Sequence, residues 1–363
     1  MSIQIHQGAG TLAGLGPIAS RELGFRNTLL VIDPGLRHSS MHAQAEGSLT
    51  GKGIAVRVFA DFEPNPDSDT IERGRAFAAP LGVDSIVALG GGSALDTAKG
   101  INFLLTNGGR MQDYRGYGKA TTPLLPAIGI PTTAGTGSEA QSYCVIADAA
   151  THMKMACGDP SAAFRAVILD PDLTKSVPKA ARAAAGIDAA AHVIETWVST
   201  KHTDASRELT MLAWQRVRPA LLPSIESADD EDVRVAMQMG AFYAGAAIEA
   251  SMLGAAHACS NPLTAKYGTP HGVALAVLVP HVVRWNAEVD AAQYERLGGA
   301  DALAHWIEDA AQAAGFPSTL QALGAKRDDI PELAELAATQ WTGTFNPRQM
   351  GIQGARELYE SAY

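Results

Sequence analysis

Residues 84–100, DSIVALGGGSALDTAKG, decide the fold. Asp84 to Leu89 is a short β-rich run of the kind buried in a sheet, and it feeds directly into Gly90, Gly91 and Gly92. The stretch that follows opens a helix. Glycines let a backbone approach an anion closely, and a helix N-terminus offers free N–H groups with partial positive charge, so a diphosphate is a sensible ligand for this loop. The alternative is a tight strand-to-helix turn that holds nothing. The spacing is not the ordinary dinucleotide fingerprint, because G-x-G-x-x-G starting at Gly90 needs glycine where Leu95 stands. Gly8-Ala9-Gly10-Thr11-Leu12-Ala13 comes nearer, but it reads as a decoy, with a short polar segment where a buried strand belongs. A Walker pattern is absent.

Outward from this loop the same grammar repeats. Thr28 to Ile32 stops at Asp33-Pro34-Gly35, Ile54 to Phe59 is a further strand candidate, Leu124 to Ile130 precedes Pro131, and Ala166 to Leu169 precedes Asp170-Pro171. Strands separated by helix-length segments predict a parallel sheet covered on both faces. PTTAGTGSE at 131–139 is a second glycine loop directly after a strand, with hydroxyls at Thr132, Thr133, Thr136 and Ser138 able to donate to phosphate or ribose oxygens. Two such loops at the carboxyl ends of neighbouring strands converge on one crevice.

After about Pro178 the texture changes to long Ala- and Leu-rich stretches of helical period, at 180–199, 203–222, 231–250 and 298–314. Val273 to Val279 is ambiguous between strand and buried helix. The expected fold is α/β plus all-α: a parallel-sheet, Rossmann-like dinucleotide-binding domain with an atypical glycine loop over 1–177, then an all-helical domain over 178–363, with the ligand site in a cleft between them.

Composition narrows the function. In 363 residues, 47% are hydrophobic and 18% charged, which is globular rather than disordered. A formal net charge of −10 disfavours nucleic-acid and membrane-surface partners. No apolar run reaches the roughly 20 residues of a membrane span. MSIQIHQGAG shows no secretory pattern, and the cysteines Cys144, Cys157 and Cys259 lack zinc-knuckle spacing, so a reducing, cytoplasmic location is expected.

In GIDAAAHVIE (186–195), Asp188 and His192 are four apart, which on a helix puts carboxylate and imidazole on one face. His257 and His271 follow, and Pro262, Gly268 and Pro270 predict that they sit on separate elements. One carboxylate and three imidazoles suit Fe(II), Zn(II) or a similar first-row ion. The plainer alternatives are a solvated helix face for the Asp-x-x-x-His pair and a turn residue for His271.

Taken in order, GGGS-x-x-DTAK, PTTAGTGSE, D-A-x-x-H and the two later histidines make the sequence resemble the iron-containing (group III) alcohol dehydrogenases. The likeness covers almost the whole chain and includes Glu63-Pro64-Asn65-Pro66, Leu169-Asp170-Pro171, Pro270-His271-Gly272 and Asn346-Pro347-Arg348. The resemblance implies an N-terminal NAD(P) domain and a C-terminal helical domain whose metal is held by Asp188, His192, His257 and His271. It places the diphosphate along Gly91, Gly92 and Ser93 with Asp96 close by, the nicotinamide half near Thr132 and Thr133, and further cofactor contacts at Asn65 and Lys154. Asp33 matches the acidic residue that accepts from the adenosine ribose, and its charge favours NAD over NADP. The full ligand set separates this chain from glycerol dehydrogenase-like and maleylacetate reductase-like neighbours.

One position departs from the pattern. Asn261 stands where members carry a further histidine four residues after the third ligand, near substrate and nicotinamide, and an amide does not titrate near neutrality. The resemblance therefore implies hydride transfer between nicotinamide and a small alcohol or aldehyde whose oxygen meets the metal, with Asn261 lining the catalytic site. An alternative substrate is a small anionic aldehyde, bearing a carboxylate or phosphonate, in a pocket altered at Asn261. From another class, the chain is a catalytically silent NAD-binding sensor. A small-molecule substrate, no nucleic-acid or membrane partner, and a homodimer or larger homo-oligomer complete the expectation.

Overall fold

The computed structural model describes residues 3–363. Its first unit runs to Thr133 and resumes over Ser138–Lys175. There β1 (Gln4–Gln7), β2 (Asn27–Ile32), β3 (Ala55–Phe59), β4 (Ser85–Gly90), β6 (Ala127–Pro131) and β9 (Ala166–Leu169) form one sheet in the order β1-β9-β6-β4-β2-β3. Every pairing is parallel. β4, β6 and β9 are buried at every position, as continuous apolar runs demand of strands covered on both faces. Alternate residues sort to opposite faces. Leu30, Ile32, Val87, Leu89, Ile128 and Ile130 pack against Leu15 of the single turn α1 (Leu15–Pro17) and Ala45 and Leu49 of α2 (Ser40–Thr50). Each such apolar side chain taken out of water contributes roughly 1.5–3 kcal/mol.

α3 (Ser68–Ala78) and α4 (Gly92–Asn107) complete the helices of this unit. They meet where a Cβ on Gly100 would lie 2.8 Å from the Ile71 side chain, a contact that small residue permits. A smaller sheet, β5 (Gly116–Tyr117), β8 (Lys154–Gly158) and β7 (Tyr143–Ala147), was not anticipated. Its antiparallel β7–β8 hairpin turns on Asp148, whose Oδ1 accepts from the amides of Ala150 and Thr151 at 3.0 and 2.9 Å. That turn has none of the Asn-Gly or Asp-Gly chemistry that marks a hairpin in sequence. The segment before Gly8 also corrects the expectation, because it is a strand, β1. It is an exposed edge strand rather than a buried one, and so it carries no apolar signature.

The second unit is Ala134–Gly137 with Ser176–Tyr363. It is built from α5 (Lys179–Val198), α6 (Asp204–Glu226), α7 (Glu231–Ala250), α8 (Ala255–Tyr267), α9 (His271–Asp290), α10 (Ala300–Ala314), α11 (Ile330–Ala338) and α12 (Gly351–Ala362). Alanine-rich α5 is buried from Gly186 through Val198, a central position its composition permits because small side chains let neighbours close in. α8 ends on Gly268 in the left-handed conformation, and α9 starts directly after Pro270, so proline and glycine punctuation separates the two histidines. Val273 to Val279 lies within α9 and is helix. Within the described residues no helix is long and apolar enough to cross a membrane.

Candidate active site

In the first unit, β4 and β6 are neighbours with Gly90 opposite Pro131, and the Thr132 amide donates to the Gly90 carbonyl at 2.9 Å. The two glycine loops therefore lie side by side. Gly90 has φ +154°, and a Cβ there would stand 2.7 Å from Ala94 Cβ and 2.9 Å from Asp33 Cβ, so no larger residue fits. At Gly91 a Cβ would come within 3.3 Å of Thr133 Oγ1. The Asn65 amide donates to Ser93 Oγ at 3.2 Å, from a residue itself at φ +57°. Asp33, at the end of β2, accepts from the Gly35 amide at 2.9 Å through Oδ1. Asp33, Asn65, Gly91, Gly92, Ser93, Thr132 and Thr133 thus gather at the carboxyl ends of β2, β4 and β6. The 16-residue α4 opens there on Gly91 with no side-chain cap. Close backbone approach and a helix N-terminus suit a diphosphate.

Asp96 and Ser138 are hydrogen-bonded to each other. Ser138 Oγ donates to Asp96 Oδ1 at 2.5 Å, and the Val145 amide donates to Asp96 Oδ2 at 3.0 Å. Their polar atoms brace the loop to β7, with the Ser138 hydroxyl directed at the Asp96 carboxylate. Burial raises the Asp96 carboxyl, against the opposing charges of Lys99 and Lys154. Lys154, at the start of β8, therefore lies in the same electrostatic neighbourhood.

Lys99 and Glu139 are buried ionisable residues with no role in the sequence-based expectation. Burial pushes Glu139 up to about 7, with Lys99 opposing and Asp96 adding to the rise. A carboxyl whose folded pKa exceeds its unfolded value stabilises most below about 4.5, and that contribution is lost as pH rises through about 7. Glu139→Gln removes the titration. Its stability relative to the parent is expected to rise from near zero at pH 5 to on the order of 2–3 kcal/mol at pH 8 in urea unfolding. A difference that does not change between the two pH values would refute the assignment.

In the second unit, one ligand atom each from Asp188, His192 and His257 converges so that all three lie within 4.8 Å of one another, all buried. Asp188 and His192 are successive turns of α5, and His257 is in the first turn of α8. Their imidazoles stack with centroids 4.9 Å apart. His192 Nε2 and His257 Nε2 lie 3.2 and 3.4 Å from Asp188 Oδ1. His271, first residue of α9 and only half-buried, reaches to 3.8 Å from the same oxygen. A Cβ on Gly272 would stand 2.0 Å from the Ala184 carbonyl, so it is the bare glycine that lets α9 bring His271 against α5.

Asp188 Oδ1 and His257 Nε2 are buried and have no hydrogen-bond partner among the described residues. Such orphaned atoms are costly unless something occupies the space between them. Burial pushes His192 down to about 4, against the charge of Asp188. Burial would raise Asp188, but His192, His271 and His257 hold it well below the usual carboxylate range. Burial would likewise lower His257, yet the charge of Glu195 first, with that of Asp188, lifts it to about 9. A carboxylate among imidazoles, with lone-pair positions facing inward, is the donor set of a first-row divalent cation.

Glu195 is the residue that the sequence reading passed over. His257 Nδ1 lies 2.5 Å from Glu195 Oε2. The signal was present in the i, i+4, i+7 series of Asp188, His192 and Glu195 along α5. Asn261, one turn beyond His257, donates through Nδ2 to Gln340 Oε1 at 3.1 Å.

The chain is similar to known proteins along nearly its whole length. The family model for iron-containing alcohol dehydrogenase matches residues 2–171, and that for the C-terminal part of the Fe-containing alcohol dehydrogenase family matches residues 182–363. The chain is 31% identical to lactaldehyde reductase of Escherichia coli (strain K12), over 98% of this chain and 97% of the relative. The crystal structure of a 1,3-propanediol oxidoreductase superposes with a TM-score of 0.93 at 30% identity, covering 99% of this chain and 98% of that one. A sulfoacetaldehyde reductase from Bifidobacterium kashiwanohense, in complex with NAD+, superposes with a TM-score of 0.88 at 26% identity, covering 99% and 96%. With both halves matched and one acid and three imidazoles brought together, this chain belongs to the iron-containing alcohol dehydrogenase family, metal-dependent NAD-linked oxidoreductases that interconvert alcohols and aldehydes.

Proposed function

We propose that this alcohol dehydrogenase reduces a short-chain aldehyde, with residues 1–177 holding NADH and residues 178–363 holding iron. The carrying observation is the pair of orphaned buried atoms, Asp188 Oδ1 and His257 Nε2, in a group that also includes His192. In this reading Asp188, His192, His257 and His271 are the ligands. Asp33, Asn65, Gly91, Gly92, Ser93, Thr132, Thr133 and Lys154 hold the dinucleotide, with Asp96 acting through the loop it braces. When bound, iron supplies Lewis acidity that lowers the cost of negative charge on a substrate oxygen, and the nicotinamide supplies the hydride.

The chain's own residues orient and desolvate. Burial keeps His192 neutral, so its lone pair is available as a ligand. The Asn261 amide nitrogen is directed at Gln340, which leaves Oδ1 as an acceptor for a substrate hydroxyl, and neither atom exchanges a proton near neutrality. Three buried, unpaired cysteines fit a cytoplasmic location, and the exposed outer edge of β1 fits a homo-oligomer.

A second reading, an anionic aldehyde, is favoured by Asn261 itself and by the likeness to a protein named for sulfoacetaldehyde. NADH oxidation by the Fe(II)-loaded enzyme separates the two. Neutral aldehydes of two to four carbons are expected to show a higher kcat/KM than carboxylate- or sulfonate-bearing aldehydes of equal length. The reverse order establishes the second reading. No oxidation with either set, in enzyme shown to contain iron, sinks both.

A further inference from the structure

Asn346-Pro347-Arg348 is a motif for which the reaction has no use, and its first residue leads back to the ligand set. Asn346 is buried, and its Oδ1 accepts from the Ala255 amide at 3.2 Å, at the start of α8. Its Nδ2 donates to Asn286 Oδ1 at 2.7 Å and to the Arg348 carbonyl at 2.7 Å. The next amide of α8, that of Ala256, donates to Glu195 Oε1 at 2.6 Å, and the other oxygen of the same carboxylate faces His257 Nδ1. A Cβ on Gly254 would lie 2.9 Å from Asn346 Oδ1 and 3.0 Å from Glu195 Oε1, so the backbone has come as close to both groups as glycine allows. Two otherwise unsatisfied N–H groups of a helix N-terminus are thus capped by an asparagine and a buried glutamate. The helix they hold carries His257 in its first turn.

We propose that Glu195, with Asn346 behind it, is a positioning residue that fixes the tautomer of His257 for metal ligation. This rests on the reading of His257 as a ligand. The argument is one of donors and acceptors. A carboxylate only accepts, so Oε2 requires the proton on Nδ1, which leaves Nε2, on the side of Asp188 and His192, as the nitrogen that a metal can claim. Glutamine has one acceptor where glutamate has two. If it keeps the Ala256 amide, its NH2 group faces Nδ1, which must then accept, and the proton moves to Nε2 and blocks ligation. If it turns over, its NH2 group opposes the Ala256 N–H. Either arrangement weakens the site although the shape of the side chain is unchanged.

The test is the affinity of apo-enzyme for Co(II), read by visible absorption in competition with a chelator, for wild type, Glu195→Gln, Glu195→Ala and His257→Ala. Glu195→Gln is expected to weaken Co(II) binding roughly 10–100-fold, at least as much as Glu195→Ala does. A purely packing role predicts the opposite order, with glutamine harmless and alanine damaging. Glu195→Gln within twofold of wild type, while His257→Ala loses the metal, overturns the positioning role and leaves the ligand reading intact. If His257→Ala also binds normally, the ligand reading itself has failed.

Discussion

His257→Ala is expected to lose bound iron and to lower turnover with any aldehyde by at least about 10³-fold, with NADH binding retained. Three effects converge on this residue. Nε2 is one of the orphaned atoms facing the ligand group, so the substitution deletes a donor outright. Lewis-acid stabilisation of developing charge amounts to several kcal/mol, and each 1.36 kcal/mol is a factor of ten in rate. Finally, Glu195 Oε2 is left as a buried charge without its imidazole. Breaking one partner from a buried pair costs about 3–5 kcal/mol, so a fall in Tm should accompany the loss of metal. His271→Ala separates the effects, because His271 is half-exposed and lies outside the Glu195 network. That variant should lose iron and turnover while Tm barely moves. Near-normal turnover of either variant at substoichiometric iron, measured by elemental analysis beside NADH oxidation, defeats the ligand assignment.

The parallel sheet was legible because each of its buried strands is a short apolar run closed by glycine, proline or aspartate. Helices α5, α6, α7 and α10 were legible from their period, whereas α8, α11 and α12 were not and part of α9 read equally as strand. β1 and the β5-β8-β7 sheet were not. Gln4–Gln7 is exposed at an edge, and Val145 in β7 is 39% exposed, so neither writes an apolar pattern into the chain. Tertiary context makes these strands, and a single sequence does not display it. The short segment Ala134–Gly137 belongs with the helical unit although it lies inside the first in sequence. What places it there is steric. A Cβ on Gly135 would be 2.7 Å from the Ala185 carbonyl, and one on Gly137 would be 2.6 Å from Gly245 Cα. Close backbone contacts of this kind leave only glycines behind, and glycines have many other uses.

The proposed ligands were legible for a related reason. Asp188 and His192 share a helix face by spacing alone, and the later histidines were linked to them by resemblance rather than by pattern. Groups that hold other groups in place leave a fainter trace. Glu195 reads as one more residue of a helix, Ser138 as one more hydroxyl of a glycine loop, and Asp96 as a neighbour of the diphosphate only through the resemblance. In the structure the Ser138 hydroxyl donates to the Asp96 carboxylate, a support that sequence does not display.

Lys99 is the clearest of these hidden supports, and Lys99→Met should strongly destabilise the first unit. The lysine is 2% exposed, and its Nζ donates to the carbonyls of Ser138, Gln141 and Tyr143 at 2.7, 2.6 and 2.8 Å. The same ammonium lies 4.9 Å from the centre of the Phe164 ring. Methionine fills much of the same volume, so packing is nearly conserved and the loss is polar. Three carbonyls lose a charged donor at once, and leaving a buried polar group unsatisfied costs about 1–3 kcal/mol. Asp96 meanwhile loses the more effective of the two charges, Lys99 and Lys154, that offset its burial. The sum is on the order of 3–5 kcal/mol, a large fraction of the roughly 5–15 kcal/mol that holds a domain folded. At about 2–4 °C per kcal/mol for a unit of this size, Tm should fall by about 10 °C. The loop released is the one that follows Thr132 and Thr133, so NADH affinity should fall with stability, whereas Co(II) affinity of the helical unit should not. A melt within about 2 °C of wild type would show that the three carbonyls find other donors without the ammonium.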